Sequence, residues 1–320
     1  MKAAVLHKLG ESPRYAEFAD PVAGAEEALV RVRAASLKNV ERQQAAGTHY
    51  ASPREFPVVC GLDGVGNLED GTRVFFGGAR KPFGAMAELT VAPRAFCFPL
   101  ADSLDDLTAA ALPNPGVSAW LTLTHGAKFA AGETALILGA TGVTGQLAVQ
   151  IAKLLGAKSV IAAGRNERAL TKLRTIGADG TIQLDQSDGA LKQEFARAAG
   201  DDGFDVIIDY LWGHPTEVLI AAITKSEFAP LKKQTRLVQV GESAGPTISL
   251  PAAVLRSTPL TILGTAGIPP MPVLMDAMQQ VMTRGARGEL RVETEAVPLA
   301  DVEKAWNRKE SSGRRIVLVP

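Results

Sequence analysis

A chain of 320 residues exceeds the usual size of one domain, so two domains are the first expectation. Hydrophobic residues make up 46% and charged residues 21%, the balance of a globular protein able to bury a sizeable core. The formal net charge is zero and no lysine–arginine run stands out, which makes nucleic acid a poor fit as partner.

The opening MKAAVLHKLGE has no long apolar core of the signal-peptide kind, and no apolar run reaches membrane-spanning length. A cytoplasmic protein is expected. Two cysteines, Cys60 and Cys97, suit a reducing compartment and are too few for a four-cysteine zinc site.

The first third is short-stranded and broken by glycine and proline. Residues 28–36 (ALVRVRAAS) and 86–93 (MAELTVAP) alternate as half-buried strands do. Between them, GLDGVGNLEDGTRVFFGG sets an Asp-Gly turn among short apolar runs. An antiparallel, barrel-like β domain is predicted, ending at the punctuation of Pro113, Pro115 and Gly116.

From about residue 118 strands and helices alternate: TALIL (134–138), a helix over 143–157, SVIAA (159–163) and a helix over 167–177. TIQL, a helix near 188–199, FDVIID (204–209), a helix near 215–223, RLVQVG (236–241) and ILG (262–264) complete the series. Alternation of this length predicts a parallel sheet covered by helices on both faces. An amphipathic helix, PVLMDAMQQVMTRG, then precedes a strand, the short helix DVEKAWNRK and a terminal strand, RRIVLVP. This tail is expected to return to the first domain. The predicted division is 1–117 with 267–320, and 118–266 as the dinucleotide-binding domain.

The stretch ALILGATGVTGQ (135–146) places Gly139, Gly142 and Gly145 between a predicted strand and a predicted helix. There, residues without a Cβ let the backbone approach a pyrophosphate, and free N–H groups at the helix start face its charge. Gly139, Thr141, Gly142, Val143, Thr144 and Gly145 are therefore cofactor candidates. The second strand runs into Gly164-Arg165-Asn166. An NAD site wants a carboxylate about 20 residues beyond the glycines, for the ribose hydroxyls. Arg165 stands there instead, and a guanidinium suits a 2′-phosphate, which favours NADPH.

The order of these parts resembles the medium-chain dehydrogenase/reductase superfamily, specifically its zinc-independent quinone oxidoreductase branch. MKAAVLHKLG, VRVRAASLKNVERQQAAG, FPVVCGLDGVG, ALPNPGVSAWLTL, LGATGVTGQLAVQIAKLLGA, TIGAD and GRRIVLVP are similar to that family's successive segments. One departure is Val143-Thr144, where the family often has Gly-Val. The resemblance implies a chaperonin-10-like β-barrel domain beside a Rossmann domain, in all an α/β protein with its active site between the two. It also implies a homodimer, and places Gly241, Gly264 and Thr265, at later strand ends, beside the nicotinamide. Trp212 is a further candidate there.

Zinc-dependent relatives put a cysteine where Lys38 stands and a Gly-His-Glu where Gly61-Leu62-Asp63 stands. Leucine cannot ligate a metal and lysine is a poor ligand, so no metal is expected. Without a Lewis acid, an electron-poor acceptor is favoured: a quinone or an α,β-unsaturated carbonyl, whose oxyanion hydrogen-bond donors stabilise. The resemblance offers Lys38, its neighbour Asn39 and Tyr50 as those catalytic donors; the position of the family's usual tyrosine falls near Gln43. The resulting expectation is an NADPH-dependent, zinc-independent reductase of quinones or enones. Two alternatives stay open: an enoyl-thioester or ketone reductase on the same scaffold, and an NADPH sensor or structural or RNA-binding protein with little turnover.

Overall fold

A computed structural model describes residues 1–224, 233–265, 267, 269–308 and 313–320. Its contacts divide the chain into two compact units, Met1–Asn114 with Gln280–Pro320, and Pro115–Gln279. Residue 266, where the sequence expectation ends the nucleotide-binding domain, lies outside the described residues, as does Lys309 at the end of the predicted short helix.

The first unit opens with β1 (Lys2–Leu6), β2 (Arg14–Glu17) and β3 (Glu27–Ser36), followed by α1 (Asn39–Ala46). Next come β4 (Val58–Val59), β5 (Asp63–Asn67), β6 (Arg73–Gly77), β7 (Leu89–Pro93), β8 (Cys97–Pro99) and α2 (Asp106–Ala111). β3 alternates buried and open positions as far as Arg33, and its final residues are buried on both faces. The predicted Asp-Gly turn joins β5 to β6: Thr72 N donates to Asp70 Oδ1 at 2.9 Å and Gly71 takes a positive φ of 84°. The predicted strand 86–93 divides its pairing. Residues 86–88 bond to the β1 segment, through Ala4 N to Met86 O and Glu88 N to Lys2 O, while Glu88 O accepts from Val32 N of β3 and β7 pairs with β3 from Leu89 on.

Pro113, Pro115 and Gly116, the domain edge expected from the sequence, open helix α3 (Pro113–Leu121), and the division into two units falls between Asn114 and Pro115. The first-turn N–H groups of a helix have no acceptor within it, so proline costs nothing there and its fixed φ favours the helix.

The second unit contains β9 (Thr134–Leu138), α4 (Val143–Leu154), β10 (Ser159–Gly164), α5 (Glu167–Thr175), β11 (Gly180–Gln183) and α6 (Asp188–Ala199). It continues through β12 (Val206–Asp209), α7 (Gly213–Ile223), β13 (Thr235–Gln239), α8 (Ala252–Ser257), β14 (Leu260–Gly264) and the first part of α9 (Met271–Ala286), whose residues from Gln280 on belong to the first unit. The six strands form one parallel sheet in the order β11-β10-β9-β12-β13-β14. In β9 and β12 nearly every side chain is buried, so both faces carry apolar residues instead of alternating. Phe195, Phe204, Ile207 and Leu219 lie in the core that α6 and α7 build with this sheet.

Strand order reverses between β9 and β12, because β10 and β11 lie on one side of β9 and β12, β13 and β14 on the other. Such a reversal leaves a crevice at the carboxyl ends of the two central strands.

The tail forms β15 (Glu293–Pro298), α10 (Val302–Asn307) and β16 (Arg314–Val319). β16 pairs antiparallel with β3, at Val317 with Ser36 and Leu318 with Ala35, so the last strand completes a sheet begun in the first third. β15 and β16 run parallel, with α10 as their crossover, so this corner departs from the antiparallel pattern predicted.

Candidate functional site

The registers of the parallel sheet align its strand ends. Ala163 of β10 pairs with Leu138 of β9, Leu138 with Asp209 of β12, Asp209 with Gln239 of β13, and Gln239 with Gly264 of β14. The residues that follow these positions therefore emerge along one edge. Gly139 and the glycine loop follow β9, Gly164 and Arg165 close β10, and Tyr210 follows β12. Gly241 lies beyond β13, and Gly264 and Thr265 end β14. Every cofactor candidate from the sequence lies on this edge.

The loop after β9 turns at once. Gly139 has φ +80°, and Gly139 N and Ala140 N both donate to Ala163 O, at 3.0 and 2.9 Å. Gly142 caps α4 without any side-chain bond to the helix start. The N–H groups of Val143, Thr144 and Gly145 thus begin a helix with no intrahelical acceptor, and they concentrate positive potential there. Gly145 serves packing: a Cβ on it would stand 2.4 Å from Gly139 O and 2.6 Å from Ala140 Cα. Thr141 is buried, and a Cβ on Gly164 would meet its Cγ2 at 2.5 Å, so the ends of β9 and β10 touch.

Arg165 is exposed beside this loop, its carbonyl accepting from Gln183 Nε2 at 2.8 Å. Asn166 caps α5 by accepting from Ala169 N at 2.9 Å, so its side chain serves the helix. Arg168, one turn into α5 and also exposed, is a second cation near this strand end that the sequence expectation did not include.

Across the reversal, Asp209 is wholly buried and accepts from Leu211 N, Trp212 N and Thr216 Oγ1, at 2.8, 2.9 and 2.6 Å. Burial pushes its carboxyl above the ordinary aspartate value while these donors oppose the shift. Gly241 N donates to Asp209 O at 3.2 Å, and Thr265 Oγ1 to Gln239 O at 3.4 Å.

The catalytic candidates lie in the first unit and have unlike surroundings. Lys38, which caps α1, is 2% exposed. Its Nζ donates to Ser36 O at 3.2 Å, Ser36 Oγ at 3.1 Å and Asp63 Oδ1 at 3.0 Å, and pairs with Glu41 Oε1 at 2.8 Å. Glu41 also accepts from Lys38 N at 2.5 Å and Leu62 N at 3.3 Å. Burial opposes the lysine's charge, but the Asp63 and Glu41 carboxylates outweigh it and hold its pKa above the ordinary value. Burial pushes the Glu41 carboxyl up, with Asp63 adding and Lys38 opposing.

Asn39 is exposed at the first position of α1, and Tyr50 is 96% exposed with its ring 4.1 Å from that of His49. The structure does not join these three donors: the partners of Lys38 are Ser36, Glu41 and Asp63. Glu41 was missed from sequence, although Lys38-x-x-Glu41 at a strand–helix junction has the spacing by which a glutamate reaches back to a helix cap.

A zinc ion does not fit here. An ammonium occupies the point between the two carboxylates, Leu62 has no donor, and burial, then the Glu41 charge, pushes the neighbouring Cys60 thiol up to about 12. A thiol so protonated is a poor ligand.

The family model that matches this chain is described as zinc-binding dehydrogenase and covers residues 143–280, which excludes positions 38 and 62. The probable NADPH-dependent quinone reductase tdiC of Emericella nidulans is 26% identical over 96% of this chain and 96% of its own length. The rat (Rattus norvegicus) quinone oxidoreductase is 32% identical over 60% of this chain, and the match spans 59% of the rat protein. Among solved structures, the Thermus thermophilus quinone oxidoreductase, also determined with NADPH, superposes with a TM-score of 0.83 at 26% identity over the whole of both chains. Sheet order, glycine loop and these likenesses agree: the chain is similar to the quinone oxidoreductase branch of the medium-chain dehydrogenase/reductase superfamily, and the likenesses support an oxidoreductase.

Proposed function

We propose that this chain is an NADPH-dependent reductase that passes hydride to quinones or α,β-unsaturated carbonyls without a metal. The observation that carries this reading is the edge of the parallel sheet. The glycine loop lies at the strand-order reversal, and Arg165 stands where an NAD site would have a carboxylate. The names of the tdiC and Thermus proteins, with NADPH in both, support the same cofactor.

The chain's own groups divide the work. N–H groups of Val143, Thr144 and Gly145 receive the pyrophosphate, and Gly139 and Gly142 keep side chains out of its path. Arg165 offers its planar fork to the 2′-phosphate, with Asn166 holding the start of α5 beside it. Gly241, Gly264 and Thr265 would border the nicotinamide, which when bound would supply the hydride.

In the first unit, Asn39 and Tyr50 are the exposed donors available to an acceptor's developing oxyanion. Lys38 acts through Asn39, the first residue of the helix that it caps. Its ammonium ties the cap of α1 to β5, so it positions Asn39 and does not reach the acceptor itself.

A binding-only reading has one observation in its favour: the Lys38 ammonium is already engaged with Ser36, Glu41 and Asp63. The two readings separate in one assay. Chelator-treated protein is mixed with NADPH and a panel of quinones and enones, and loss of the nicotinamide absorbance is followed. Turnover that survives chelation supports the reductase; tight NADPH binding with no turnover on any acceptor contradicts it and favours the binding protein.

A further inference from the structure

The glycine loop, Arg165 and the strand-end glycines leave one group on the same edge unexplained. Tyr210 is the residue that follows β12, and its hydroxyl is buried without a hydrogen-bond partner among the described residues. Leaving a buried hydroxyl unpaired costs stability, so native chains seldom keep one without a use. Burial alone pushes this phenol well above the usual tyrosine range, so it is a neutral donor at any working pH.

The position of Tyr210 is fixed from both sides. Its N–H donates to Leu138 O at 3.2 Å and its carbonyl accepts from Ser243 Oγ at 3.0 Å. Its Cβ lies 3.2 Å from where a Cβ on Gly139 would stand, so the side chain starts against the turn of the glycine loop. The chain beyond it is strained: Trp212 takes φ +54°, in the left-handed region that non-glycine residues avoid, and Asp209 holds the turn by its bonds to Leu211 N and Trp212 N. An unpartnered hydroxyl on the residue that roots a strained turn, at the carboxyl end of a central strand of a parallel sheet, is a group left for a ligand to complete.

Strand order identifies which part of the ligand. Arg165 follows β10, on one side of β9, whereas Tyr210 follows β12, on the other. A dinucleotide with its pyrophosphate at the β9 loop spans both sides, with the adenosine half toward β10. We propose that the Tyr210 hydroxyl donates a hydrogen bond to an oxygen of the nicotinamide half of the bound dinucleotide. This inference rests on the dinucleotide reading above and adds to it a specific binding residue.

The test is Tyr210→Phe, which removes the oxygen and keeps the ring. Calorimetric titration of the whole protein with NADPH, and with 2′,5′-ADP as the adenosine half alone, is joined to a thermal melt of the ligand-free variant. NADPH affinity is expected to fall about tenfold, the scale of one hydrogen bond lost from a buried site. Affinity for 2′,5′-ADP should stay at the wild-type value, and the melting temperature should equal or exceed that of the wild type. NADPH affinity within twofold of wild type overturns the proposal, as does an equal loss for 2′,5′-ADP or a lowered melting temperature, which would make the hydroxyl a structural group. Wild-type protein that binds neither probe overturns the dinucleotide reading itself, and this proposal with it.

Discussion

The loop after β9 and the cluster around Lys38 treat polar groups in opposite ways. The loop strips away side chains and leaves the N–H groups at the start of α4 without acceptors in the helix. The cluster buries an ammonium and two carboxylates and gives each a partner. An unsatisfied donor set is kept where a ligand will satisfy it, and a satisfied one where the fold itself needs the bonds. On the proposed function, the loop binds the ligand and Lys38 braces the fold.

The largest effect should come from breaking the brace. Lys38→Met leaves Glu41 and Asp63 buried without their cation, and loss of one partner from such a group costs about 3–5 kcal/mol. Urea unfolding reads this directly. The triple variant Lys38→Met/Glu41→Gln/Asp63→Asn removes the charges together and should regain most of the loss. If Lys38→Met unfolds like wild type, the bracing role is wrong.

The glycines of the loop sharpen the other side. Gly145→Ala forces a Cβ to within 2.4 Å of Gly139 O and should cost about 1–3 kcal/mol along with NADPH binding. Gly142→Ala meets only Gly139 O at 3.5 Å, an ordinary contact at an ordinary φ of −76°. Its melting temperature should stay near wild type while NADPH binding weakens several-fold, because the methyl stands beside the pyrophosphate. Equal behaviour of the two variants in both assays would remove the distinction between packing and ligand approach.

A smaller effect concerns protonation beside the brace. Cys60 is raised from 9.0 to about 12, and Lys38 above 10.5. Both hold their protons more tightly in the folded state, so their contributions are complete below about pH 9 and are lost as the pH climbs, for Cys60 through about 12. Native protein at mildly alkaline pH should therefore react slowly with a thiol reagent at Cys60, and quickly once unfolded in urea. Equal rates in the two states would contradict the burial that sets this pKa.

The parallel-sheet half was legible in the sequence because its signals are local. TALIL, SVIAA and FDVIID are continuous apolar runs, and each is followed by a helical period, so strand and helix ends fell within a few residues. The glycines at 139, 142 and 145 mark the loop, and counting from it singles out Arg165, which lies at the end of β10. The first unit was harder to read. Helix α1 is eight residues of mostly polar sequence, NVERQQAA, whose place is set by the Lys38–Glu41 and Lys38–Asp63 bonds across 3 and 25 positions. No local period announces such bonds, so Lys38 looked like a candidate donor and Glu41 went unnoticed. The prolines at 113 and 115 mark the edge between the units but not the helix α3 that starts there, because proline suits both a break and a helix's first turn. Tyr210 carries no motif at all; only burial without a partner reveals it.

The most direct measurement of the central claim is the affinity for NADPH and for NADH, by calorimetric titration, of the wild type and of Arg165→Ala. The account predicts that the wild type prefers NADPH, and that the substitution weakens NADPH about tenfold or more while NADH barely changes, as expected for a charge-assisted contact to the 2′-phosphate. Equal losses for the two nucleotides, or a wild type that prefers NADH, would contradict it.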